Sequence, residues 1–274
     1  MREVLVIPAG RMANRMIQRI GAEAVSKRQP GVKVHSPAFP EWSIPHTPGY
    51  ELYRSMFQLQ NKFASKSMYL LSENTQKQFI IPKSRVLVVG NLLDIELLKE
   101  SLSFAKVFFS TDACCSCCTN LSFTNLQNYN LVHVRLGDVW ESNSKTAISY
   151  FPLGIDFYRA IADYNPKPFA ILAEALTVAE KEYLQDIAAV SKGSVILQQG
   201  CALRDFQLIR SAETVTLSTS TYSWLASWLS DSAENIYVPN AGLFNSEVRP
   251  DINLIEINTD NRYKIFPAFK LRGR

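Results

Sequence analysis

The chain has 274 residues, 47% of them apolar and 20% charged, with a net charge of +4. This is the composition of a soluble globular protein with a sizeable core, built as one large domain or two of ordinary size. The charge is too small and dispersed for a nucleic-acid surface, and no apolar run approaches the ~20 residues that span a bilayer.

Val4 to Ile7 reads as a buried strand, too short for the apolar core of a signal peptide, so a cytoplasmic location is expected. A turn at Pro8 to Gly10 follows. Met12 to Ser26 then places Met12, Met16, Ile20, Ala24 and Val25 at helical spacing. This strand–loop–helix opening is the unit of an α/β fold.

Lys33 to His35 is a second short strand. Pro37 to Pro48, with Phe39 and Trp42, is a proline-rich loop that could line a cleft. A helix is expected over Leu52 to Met68, a buried strand over Ser84 to Val89, a helix over Leu92 to Leu102 and a strand over Val107 to Ser110. The asparagine-rich stretch Thr119 to Asn130 is the best domain junction.

The alternation then resumes. Strands are expected at Leu131–Val134, Pro168–Leu172, Ser194–Gln198, Thr214–Ser218 and Asn235–Val238. Helices are expected at Pro152–Tyr164, Thr177–Ala189 (capped by Thr177), Asp205–Ala212 and Tyr222–Leu229. The basic end, Lys270 to Arg274, reads as a solvated tail. The expected architecture is two Rossmann-like domains, residues 1–125 and 126–274, facing a central cleft.

The cysteines are Cys114, Cys115, Cys117, Cys118 and Cys201. Metal sites usually need a second, distant ligand pair, which neither Cys201 nor the three histidines supply, so reduced thiols are expected and no metal. Asn120-Leu121-Ser122 fits a glycosylation sequon that stays idle without secretion.

Three segments carry chemistry. Gly10-Arg11-Met12-Ala13-Asn14 joins the first strand to the first helix, where free N–H groups suit an anion. Arg11 and Asn14 could contact it; on spacing alone a helix start with a surface arginine is the favoured reading. Only Gly10 and Gly21 are present here, so the dinucleotide fingerprint of an NAD enzyme is missing. The second segment is His133-Val134-Arg135-Leu136-Gly137-Asp138. Side chains alternate along a strand, which puts His133 and Arg135 on one side. Arginine's fork of donors suits a phosphate; a core histidine beside a surface Arg135–Asp138 ion pair is the plainer alternative. The third combines Asp205 with six consecutive hydroxyl residues, Ser218 to Ser223, at a strand end and helix start. This run is longer than an N-cap needs and could ring a diphosphate.

Taken in order, these segments resemble the α1,2-fucosyltransferase and protein O-fucosyltransferase superfamily of GT-B glycosyltransferases. Gly10, Asn14 and Gln18 match its opening G-x-x-x-N-x-x-x-Q. His133, Arg135 and Asp138 match its central H-x-R-R-x-D, and Ser220 to Leu229 match its late S-S-F-S-W-W-x-A-W-L. Tyr150 to Tyr158 is similar to the stretch after the central motif. Residues 131–245 carry most of the likeness.

The resemblance implies an α/β GT-B fold with an acceptor-side N-terminal domain and a nucleotide-sugar-binding C-terminal domain. It implies a hexosyl- or pentosyltransferase, fucosyltransferase-like, acting in glycan biosynthesis. Its partners would be a nucleotide-sugar donor and a glycan acceptor, with no resident cofactor. Arg135 would pair the donor β-phosphate. Ser220, Thr221 and Tyr222 would surround the diphosphate beside Ser218 and Ser223, and Asp205 would face the base or ribose. Gly10, Arg11 and Asn14 would approach from the opposite domain.

Leu136 stands where the second arginine of the motif would be. The lost charge leaves the donor open between GDP-fucose and a UDP-sugar such as a UDP-pentose, and gives weight to a non-catalytic nucleotide-sugar or glycan-binding module. The chain lacks the D-x-D diphosphate–metal clamp, so a metal-independent, inverting reaction is expected, with Arg135 supplying positive charge. Asp138 or Asp112 could be the general base; His133 could move a proton or support the loop.

Overall fold

The computed structural model describes residues 2–8, 10–29, 31–60, 68–71, 85–88, 93–110, 123–140, 149–197, 200–255 and 258–271. The chain divides into two compact units, residues 1–113 and 114–274. Both are α/β units with parallel sheets.

In the first unit the described strands are β1 (Arg2–Val6), β2 (Val32–His35), β3 (Met68–Leu71) and β4 (Arg85–Val88). Their order is β2-β1-β4-β3, all parallel. The alternation of β1 sorts its two faces. Val4 and Val6 join Ala22, Ala24 and Val25 of helix α1 (Met12–Arg28), whereas Leu5 meets Tyr50 and Tyr53 of helix α2 (Tyr50–Gln60).

Several expectations need correcting here. The helix expected over Leu52 to Met68 ends at Gln60, and Met68 to Leu71 is a strand paired with β4. The helix expected over Leu92 to Leu102 is two short ones, α3 (Ile95–Lys99) and α4 (Leu102–Phe108). Val107 and Phe108, expected in a strand, lie in α4. A short aromatic run has no period of its own, and here Phe104 and Phe108 stack one helical turn apart at 4.8 Å. Ser36 and Thr47 close the neck of the proline-rich loop, and Phe39 and Trp42 are buried against Phe109 at 5.3 and 5.6 Å.

In the second unit the strands are β5 (Asn130–Val134), β6 (Phe169–Ala173), β7 (Val195–Ile196), β8 (Thr214–Thr216), β9 (Asn235–Asn240) and β10 (Tyr263–Pro267). The order β10-β9-β8-β5-β6-β7, parallel throughout, is that of a doubly wound Rossmann-like sheet. It reverses between β5 and β8, where such sheets open a crevice at their carboxyl ends.

Among the described residues, four helices flank the sheet: α5 (Ile155–Tyr164), α6 (Val178–Val190), α7 (Ala202–Ser211) and α8 (Thr221–Trp228). Val132 and Val134 of β5 share a core with Phe157 and Ile161 of α5 and with Tyr183 and Leu184 of α6. His133, on the opposite side of the strand, meets Tyr222 of α8. The buried tryptophans of α8, Trp224 and Trp228, stack at 5.6 Å, and the Trp224 indole N–H donates to the Leu254 carbonyl.

Two further corrections concern the C-terminal end. Tyr263 to Pro267 forms an additional edge strand, with Pro267 at its end where no ladder donor is needed. Residues 269–271 are not a free tail: the Gly154 N–H donates to Phe269 O and the Leu271 N–H to Pro152 O. Cys114 to Cys118, Asp112 and the Asn120 sequon lie outside the described residues.

Candidate functional site

The second unit gathers most of the singled-out residues at its switch point. His133 lies one residue before the end of β5 and Ser218 follows β8; the His133 Nδ1 and the Ser218 Oγ lie 2.8 Å apart, tying together the strands on either side of the reversal. Beyond β5 the chain turns at Gly137, whose φ of +64° is in the left-handed region. The turn brings Asp138 back to Arg135, Nη2 to Oδ2 at 3.1 Å. The Arg135 guanidinium also lies over the Tyr150 ring, 4.6 Å from its centre. Leu136 is buried in the α5/α6 core, so it leaves the site one cation poorer while filling the sheet's other face.

The turn is anchored by a residue that the motif reading missed. Glu180, buried in the first turn of α6, accepts from the N–H groups of Gly137 (2.8 Å), Leu176 (2.7 Å) and Thr177 (2.7 Å). The Thr177 Oγ1 in turn accepts from the Glu180 N–H, completing a capping box. The sequence marks Thr177 as the helix cap; that the Glu180 carboxylate reaches the Arg135 loop is a tertiary fact.

The hydroxyl run Ser218 to Ser223 is largely committed to bonds within the protein, some local and some to distant segments. The Ser220 side chain caps α8 by accepting from the Tyr222 N–H, and Ser223 Oγ donates to Ser220 O. Thr219 Oγ1 accepts from the Phe151 N–H at 3.1 Å and donates to Phe151 O at 3.0 Å. The Tyr222 hydroxyl donates to Ala202 O at 2.5 Å, fastening the start of α8 to the start of α7. The N-termini of two helices thus meet beside His133 and the switch point, a region of partial positive charge. Asp205, in the first turn of α7, accepts from the Gly200 N–H at 3.2 Å; burial raises its pKa.

Burial, and then the charge of Arg135, push the His133 pKa down to about 3. The ring is therefore neutral at ordinary pH, a hydrogen-bonding group and a weak base. The unfolded chain binds this proton near pH 6.5 and the folded one does not. Stability is therefore expected to fall as the pH drops from about 6.5 towards 3. A His133→Asn variant should show a flatter acid limb in pH-dependent thermal unfolding.

Gly10, Arg11 and Asn14 belong to the first unit, at the end of β1, beside that sheet's own reversal between β1 and β4. Gly10 has φ +77°, and a Cβ there would sit 2.4 Å from Asn14 Nδ2, so the Asn14 amide lies directly over its backbone. Arg11 is the N-cap of α1; no side chain caps this terminus and no acidic residue occupies its first turn. Gln18, the last residue of the opening motif, is fully buried.

Among the described residues, no group of three or more His, Cys, Asp or Glu could hold a metal ion. Among them, too, no helix is long and apolar enough to cross a membrane. No protein-family model matches the chain, and no curated protein matches it.

Proposed function

We propose that the protein is a metal-independent, inverting GT-B glycosyltransferase that moves a sugar from a nucleoside-diphosphate donor to a glycan hydroxyl. The observation that carries this reading is Arg135 at the carboxyl end of β5, with the N-terminus of α8 across the reversal of the sheet. A forked cation and a helix terminus at one crevice suit a diphosphate. In this reading the second unit holds the donor. Ser220, Thr221 and Tyr222 surround the diphosphate, and Asp205 faces the base or ribose. The first unit, to which Gly10, Arg11 and Asn14 belong, carries the acceptor.

The acceptor oxygen bonds to the anomeric carbon as the bond from that carbon to the β-phosphate oxygen breaks. The bonding pair leaves with the phosphate, and the acceptor proton passes to a carboxylate. Arg135 meets the growing phosphate charge and acts most strongly in the transition state. Asp138, bonded to Arg135 at 3.1 Å, orients it. His133, held neutral, supports the loop.

The burial of Leu136 favours weighing a UDP-sugar donor beside GDP-fucose, since the second cation of the resembled motif is replaced by a core side chain. A thermal-shift series with GDP, UDP, GDP-fucose and UDP-sugars, chelator present throughout, separates these readings. A ligand at a hundred times its dissociation constant adds ~2.7 kcal/mol. A shift with the guanine nucleotides supports a fucosyltransferase, and one with the uracil nucleotides reassigns the donor. No shift with any nucleotide overturns the proposal. Donor hydrolysis without acceptor then distinguishes an enzyme from a binding module.

A further inference from the structure

Segment 149–151 lies in no strand or helix, yet it is fixed at both ends to the carboxyl edge of the sheet. The Phe151 N–H and carbonyl both bond to Thr219 Oγ1, at 3.1 and 3.0 Å. Ser149 O accepts from the Leu243 N–H at 3.1 Å, and Ser149 Oγ accepts from Arg249 Nη1 at 2.5 Å. Arg249 is itself held by Asp251 through two bonds, of 2.9 and 2.6 Å. Gly242 makes room for this arrangement. It has φ +56°, and a Cβ there would lie 2.4 Å from Ser149 O.

Between these anchors sits Tyr150, its ring 4.6 Å from the Arg135 guanidinium carbon. Asp138 bonds one edge of that guanidinium, so ring and carboxylate restrain the cation in two directions. The Arg135 side chain keeps 21% of its exposure. A planar cation held on one face and one edge has less rotamer freedom to lose on binding. Such a frame around one half-exposed arginine is more than a surface ion pair requires.

We propose that Tyr150 is a positioning residue that stacks on Arg135 and fixes its guanidinium for a phosphorylated ligand. This rests on the anion-binding reading of Arg135 given above. The predicted pattern is that of a stacking contact. Tyr150→Phe keeps the ring and should bind GDP or UDP within about twofold of the unaltered protein in calorimetry. Tyr150→Leu removes it and should weaken binding roughly 3- to 30-fold. In an Arg135→Ala background the same Tyr150→Leu change should cost nothing further, whereas a purely structural role would cost as much as before.

The Arg135 side-chain N–H signals in nitrogen-15 spectra give a readout without ligand. They should carry a ring-current shift that Tyr150→Leu abolishes and Tyr150→Phe preserves. Full affinity in Tyr150→Leu, or an equal loss in both backgrounds, overturns the proposal. If the unaltered protein binds no nucleotide while the ring-current shift behaves as described, the nucleotide reading fails and the stacking on Arg135 stands. An absent shift overturns the stacking itself.

Discussion

Arg135→Ala is expected to lower turnover of the donor by ~10²–10³-fold, the usual cost of removing one donor that meets developing transition-state charge. In the proposed reaction the loss should fall mainly on kcat, because the charge on the β-phosphate would grow as the sugar departs. Folding should be little affected. The Arg135–Asp138 pair is half-exposed, and such pairs contribute at most about 1 kcal/mol. A thermal midpoint near that of the unaltered protein therefore accompanies the expected loss. Arg135→Lys restores the charge without the fork and should recover only part of the rate. Near-full turnover in a folded Arg135→Ala protein would remove Arg135 from the chemistry and the mechanism with it.

Glu180→Ala is expected to destabilise the second unit by about 2 kcal/mol in denaturant unfolding, because it strips a charged acceptor from three backbone N–H groups at once. Burial raises the Glu180 pKa, but the bonds from Thr177, Gly137 and Leu176 outweigh it, and the net shift is downward. The sign follows from linkage. The contribution is complete above the ordinary carboxylate value of 4.5 and disappears as the pH falls through the lowered native value. The variant should thus differ most from the unaltered protein near neutrality and least in acid. It should also loosen the turn at Gly137 and reduce turnover, since Arg135 stands on that turn. Unchanged stability at neutral pH would show that water replaces the carboxylate without cost.

Much of this architecture is legible in the chain, because it rests on local periodicity. The apolar runs of β1, β5 and β6 and the helical spacing in α1 show directly in the residues. So does the Thr177 cap of α6. These signals depend on neighbours a few positions away, which sequence displays. Val107 and Phe108 lie in a helix although the three apolar residues Val107 to Phe109 fit either period; packing of Phe104 on Phe108 and of Phe109 on Phe39 and Trp42 decides for the helix. The edge strands β3 and β10 exist through their pairing with β4 and β9, which no local pattern announces.

The same division runs through the candidate site. Sequence alone determined the chemical inventory: one histidine, one arginine and one aspartate within six residues, a hydroxyl run ahead of a tryptophan-rich helix, and a glycine–arginine–asparagine turn after the first strand. Only the tertiary structure decided how these are used. Strand order put His133 against Ser218, 85 positions away, burial made that histidine neutral, and past the end of β5 Leu136 turned into the core while Arg135 stayed partly exposed. It also committed Ser220 and Ser223 to their own turn and Thr219 to Phe151, and recruited Tyr150 and Glu180, which belong to none of the three chemistry-bearing segments. Residue chemistry is local, but exposure, charge state and partners depend on which distant segments the sheet brings together.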